Sequence, residues 1–132
     1  MTKLDRYVPH ALAALRIVTA LLMLQHALMK FFAFPAPMPM PGPLPGIIVA
    51  AGAIELVTGV LIALGLFTRP AAFLASGTMA VAYWYAHAPQ NFFPVNNMGD
   101  SAVLYCFVFL YIAAAGPGPW SLDARLNAGA RR

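Results

Sequence analysis

Glu55 is the one charged residue between Gly46 and Phe67, in a stretch otherwise built from apolar side chains, glycine and threonine. His26, Lys30, His87 and Asp100 are the other groups able to hold or pass a proton near the same membrane face. A histidine titrates close to neutral pH, and a carboxylate beside it supplies a second proton acceptor. Quinone chemistry has this requirement: donors for the ring oxygens and a route for two protons. Tyr83 and Trp84 would add an aromatic wall. On this reading Glu55 and His26 are the catalytic residues, and Lys30, Tyr83, Trp84, His87 and Asp100 bind the quinone.

Other redox chemistry fits less well. Haem would need two histidines facing one another at membrane depth, and only His26 and His87 are placed for it, so no haem is expected. Cys106 is the sole cysteine, which excludes a disulfide, a CxxC pair or an iron–sulfur cluster within one chain. Met38 and Met40 offer soft sulfurs that suit copper(I). Two are too few alone, and the preferred reading lays them on the membrane surface, so no metal site is expected.

The elements that must position these groups follow from composition. Hydrophobic residues make up 61% of the 132 and charged residues 9%; the mean hydropathy is +0.75. A soluble domain usually carries about 25% charged residues. The chain is therefore expected to be one membrane domain over residues 1–132. Apolar runs at about 10–32, 46–67, 70–88 and 101–116 predict an all-α bundle of four transmembrane helices. A closed barrel would need short alternating runs, which are absent from the sequence. The net charge of +4 comes from scattered basic residues and is no nucleic-acid signature. The first run is too long and too polar, with Arg16, Gln25, His26 and Lys30, for a cleaved signal peptide.

An even number of spans puts Lys3, Arg6, Arg69, Arg125, Arg131 and Arg132 on one side and leaves Lys30 alone on the other. The positive-inside rule then places both termini in the cytoplasm. Between the first two helices prolines alternate from Pro35 to Pro45, which predicts an extended, semi-rigid outer strap. GLFTRP, residues 65–70, reads as a tight turn with Gly65 ending one helix and Thr68 capping the next. After GPGP, Ser121 is placed to cap a short surface helix.

At 1.5 Å per residue, His26 lies about 9 Å, Lys30 about 3 Å and Glu55 about 13 Å below the outer surface. Arg16, His26 and Lys30 fall within about 80° on one stripe, expected to face the bundle, while Gln25 points elsewhere. Arg16 and Lys30 have a second reading, snorkelling to the two interfaces. Glu55 is too deep and too short for that, and a polar partner on the first helix is expected, through His26 or Lys30. Gly52 and Gly59 share its face and allow close approach. An outward-opening pocket among His26, Lys30, Glu55, His87 and Asp100 follows.

The first helix ending QHALMKFF, the stretch AIELVTGVLIALGLFTRPAA and the closing GPGPWSLD together resemble the DoxX family of small four-helix membrane proteins. The resemblance runs from about Leu15 to Leu126 and implies a bacterial-type inner-membrane protein with cytoplasmic termini. It also implies a role beside quinone-linked redox systems, since some relatives are described as subunits of a thiosulfate:quinone oxidoreductase. His26, Lys30 and Glu55 match the family's polar positions, whereas the Pro/Met strap departs from its pattern. The expected partners are the lipid bilayer and either further copies of the chain or other membrane redox subunits, with no nucleic acid. The alternative function is a non-enzymatic accessory protein that assembles with partners or handles a small solute or metal.

Overall fold

The computed structural model describes residues 3–130. A 3-10 turn at Asp5–Tyr7 leads into α1, Val8–Phe32. Then come α2, Gly46–Leu64, and α3, Thr68–Ala82, which runs on as a wider π-helical turn over Tyr83–His87. The single-turn α4 is Pro94–Asn97, α5 is Asp100–Ala115 and α6 is Leu122–Gly129. No strand occurs among the described residues, so the protein is all-α. Asp5–Phe32 and Gly46–Leu64 are long and apolar enough to cross a membrane, and Asp100–Ala115 is apolar but shorter.

The long helices form a ring in which α1 packs on α2, α2 on α3, α3 on α5 and α5 on α1. α3 turns Ala71, Ala72, Ala75 and Met79 to the core, against Ala20, Met23 and Ile62 on one side and Phe109 and Ile112 on the other. Small side chains let the backbones approach, and van der Waals contact then holds them. Ser76 crosses to α5, donating through Oγ to the Cys106 carbonyl at 2.8 Å. On α2, a Cβ at Gly59 would lie 2.7 Å from Leu24 of α1. The bundle thus has a turn end, with the α2–α3 turn and both chain ends, and a strap end, with the proline-rich 33–45 segment.

The turn end is organised by Arg16, which is fully buried. Its Nη1 donates to the Ile62 and Ala63 carbonyls at 2.6 and 2.7 Å, the open last turn of α2. Its Nε and Nη2 donate to the Pro117 and Trp120 carbonyls at 2.8 and 2.9 Å. One guanidinium therefore joins α1, α2 and the segment after α5, and it does not snorkel. Arg69 does the same for the last turn of α5, donating through Nη1 to the Ala113 and Ala114 carbonyls.

Helix boundaries follow from these contacts. Gly65 takes φ +67 and closes α2, with the Gly65 and Leu66 amides returning to Ile62 and Leu61. That stops α2 at Leu64, short of Phe67. α3 starts earlier than Pro70 because Asp123 caps it from α6. Its two carboxylate oxygens accept from the Phe67 and Thr68 amides, each at 2.9 Å. Thr68 supplies no side-chain cap. The Asp123 amide in turn donates to the Gly65 carbonyl at 2.8 Å, so GLFTRP and GPGPWSLD bind one another. Ser121 Oγ accepts from the Ala124 amide and caps α6. Burial opposes ionisation of Asp123, but the hydrogen bonds from Thr68 and Phe67 and the Arg16 charge outweigh it and hold the carboxyl below its ordinary pKa.

A glycine pair tests this end. An added Cβ at Gly65 would lie 2.3 Å from Ser121 Cβ, on a backbone that disfavours L side chains, whereas one at Gly77 in α3 meets nothing within 4 Å. Gly65→Ala is expected to destabilise by more than about 1 kcal/mol. Gly77→Ala is expected to be neutral or to stabilise by up to about 1 kcal/mol. Reversible unfolding in mixed micelles reads both.

Candidate functional site

Glu55 sits on the α2 face that meets α1, 3% exposed. Its Oε2 forms a hydrogen-bonded ion pair with Lys30 Nζ, the lysine reaching it from the last turn of α1. Gly52, one turn earlier on α2, makes the room: a Cβ there would lie 2.9 Å from Lys30 Cδ and 3.0 Å from the Phe31 ring. The lysine stem thus lies flat on α2, and its ammonium turns inward rather than to the strap-end surface.

His26 does not join this pair. It is exposed, its Nδ1 lies 3.1 Å from the Leu22 carbonyl of its own helix, and its ring meets Tyr105 of α5 edge-on at 5.9 Å. The buried stripe of α1 runs through Arg16, Ala20, Met23 and Ala27. His26 is about 80° from Arg16 on that wheel, which puts it at the stripe's edge, whereas Lys30 falls inside.

A second cluster forms where α3 meets the 88–99 loop. Tyr83 is buried and donates through its hydroxyl to the Phe92 carbonyl. Its ring stacks on His87 at 6.4 Å and meets Trp84 edge-on at 5.4 Å. The π-helical turn makes this possible: at 100° per residue Tyr83 and His87 are near neighbours, and the wider winding aligns their planes to 17°. His87 Nδ1 lies 2.9 Å from the Asn97 carbonyl, so Nδ1 carries the hydrogen and the Nε2 lone pair is left free.

Asn97 is the hub of this cluster, a residue outside the candidate set read from the sequence. It is 3% exposed. Its Nδ2 donates to the Asn91 carbonyl at 2.6 Å and to the Tyr83 hydroxyl at 3.4 Å, and its Oδ1 accepts from the Gly99 amide at 2.8 Å. The signal available was Pro94 and Gly99 bracketing it, marks of a helical turn and its exit. Below the cluster an apolar groove of about 310 Å³ opens between α3 and α5, with Met79, Tyr83, Trp84, Val103, Cys106 and Phe107 on its walls. Asp100 is exposed in the first turn of α5, where its charge suits the helix dipole.

The expected site residues therefore fall into two groups. Lys30 and Glu55 meet between α1 and α2, and Tyr83, Trp84 and His87 meet where α3 runs on against the 88–99 loop. Among the described residues no hydrogen bond or ion pair links the two groups, and His26 and Asp100 stand apart from both.

An all-α protein with two membrane-length helices, a buried ion pair and an apolar groove is the class these features define. The family model named DoxX matches residues 11–88. A Haemophilus influenzae protein described as uncharacterized is 42% identical over 128 residues, covering 93% of this chain and 96% of the relative. The chain belongs to the DoxX family. No solved structure matches it.

Breaking a buried pair from one side leaves an uncompensated charge and costs about 3–5 kcal/mol, whereas replacing both partners costs much less. Lys30→Met and Glu55→Leu are each expected to lose stability in that range, and the double variant to recover most of it. A double-mutant cycle in mixed micelles measures the coupling. Additive losses would mean that the two groups act independently.

Proposed function

We propose that this DoxX-family chain crosses a bacterial-type inner membrane four times, with both termini in the cytoplasm, and serves a quinone-linked redox process. The observation that carries the reading is the α3–α5 groove with its aromatic head. Met79, Cys106 and Phe107 give an apolar path for an isoprenoid tail, while Tyr83 and Trp84 offer ring faces for a headgroup. His87, held by Asn97 and stacked on Tyr83, stands beside the aromatic head and exchanges a proton with the headgroup. Lys30 and Glu55 lie across the ring between α1 and α2 and take no direct part at the groove. The chain's share is binding and proton exchange, and the electrons pass between the quinone and a partner membrane subunit. The topology rests on the basic residues, which gather at the turn end while Lys30 alone stands towards the strap.

The non-enzymatic accessory reading has its own support in the closure of the polar groups. The Lys30 ammonium is committed to Glu55 and the Tyr83 hydroxyl to Phe92, as in a scaffold. A photoreactive quinone analogue separates the two. The quinone reading expects crosslinks on Tyr83, Trp84 or Phe107, suppressed by excess quinone and reduced severalfold by Trp84→Ala. Absent or uncompeted crosslinking would leave the accessory function as the account of the protein.

A further inference from the structure

The turn end carries a second concavity, of about 220 Å³, walled by Thr68, Arg69, Pro70, Pro117, Asp123 and Asn127. Arg69 is exposed at its rim. Its Nη1 is committed to the Ala113 and Ala114 carbonyls and its Nη2 reaches Ala115 at 3.5 Å, while its Nε makes no hydrogen bond to any of the described residues. Among the described residues no carboxylate oxygen lies within ion-pair reach of it. A guanidinium presents five N–H donors in a planar fork, so the Nε edge is left to grip a phosphate.

Asp123 also walls the cleft, but both its oxygens are engaged by the Phe67 and Thr68 amides, and the Arg16 charge behind it offsets its own. Two aromatic residues at this end, Phe67 on the cleft wall and Trp120, which meets His10 of α1 edge-on, are held in an unusual way. Phe67, at φ 47, and Trp120, at φ 57, hold large rings outward, 65% and 62% exposed, from the left-handed backbone region. L side chains seldom adopt that region. Leu122 and Leu126 of α6 are exposed at the same end, and so are Lys3, Arg6 and Arg125. Aromatic anchors, exposed aliphatic side chains and exposed cations together match the boundary of an anionic lipid leaflet.

We propose that this cleft seats the phosphate of an anionic phospholipid, gripped by the Arg69 fork, with Phe67 and Trp120 set into the interface at the same end of the bundle. The assignment rests on the four-span reading above, which puts the turn end at a membrane surface, and not on the quinone.

The test uses the full chain in a neutral detergent, titrated with dioleoyl phosphatidylglycerol, dioleoyl phosphatidylcholine or inorganic phosphate. Native mass spectrometry and the thermal midpoint are the readouts. Phosphatidylglycerol is expected to be retained and to raise the midpoint, and phosphatidylcholine to do neither. Arg69→Lys keeps the charge but loses the fork, and should weaken phosphatidylglycerol retention severalfold. Because Arg69 also closes α5, Asn127→Trp serves as a second variant that fills the cleft and leaves Arg69 in place. It should weaken retention equally. Equal retention of the two lipids, undiminished retention in both variants, or an equal midpoint shift from inorganic phosphate would each overturn the proposal. Labelling of Met40→Cys in a Cys106→Ala background, from outside the cell, reads the topology separately. A reversed orientation there would sink the four-span reading without altering the binding result in detergent.

Discussion

Arg16 is the constraint on which the turn end depends. A guanidinium withdrawn from water is costly unless its donors are met, and here four carbonyls from two distant parts of the chain meet them. Two belong to the open end of α2, whose dipole favours a cation. The other two fix the 116–120 segment. With that segment held, Asp123 falls over the start of α3 and Gly65 must pass under Ser121. The helix ends are then closed by side chains from elsewhere rather than by their own neighbours. In a bilayer this matters more than in water, because an unpaired carbonyl there has no solvent to turn to.

The two inward-facing cations of α1 are treated in opposite ways. Arg16 meets only carbonyls, which use its donors to tie helix ends together. Lys30 meets a carboxylate, and the two form an ion pair between α1 and α2. The division gives the molecule a fixed end and an end with chemistry. The strap end holds Lys30–Glu55 and the Tyr83–His87–Asn97 cluster beside a groove, whereas the turn end spends its polar groups on joining helices.

The helical class and most of the helix positions were legible in the sequence, because long apolar runs and Gly65 are strong local signals. Glu55 was legible as a buried group in need of a partner on α1, and Lys30 is that partner. His26 misled because wheel angles fix direction only relative to the buried stripe, and the stripe's centre is set by which helices pack, not by α1 itself. Thr68 misled in the same manner: its place before Pro70 suits a cap, but a carboxylate 55 residues further on occupies the site. Asn97 and the π-helical turn left little trace, since both depend on the path of the 88–99 loop against α3. The stretches GLFTRP and GPGPWSLD were recognisable as motifs, and only the fold shows that each completes the other.

Hydrogen exchange read by mass spectrometry on the Arg16→Ala variant tests the central role of this residue most directly. If Arg16 ties α2 to the segment after α5, exchange should rise together in residues 62–68 and 116–126, while peptides around Lys30 and Glu55 stay as protected as in the unaltered protein. Unchanged exchange in either of the first two regions, or loosening spread evenly through the bundle, would contradict it.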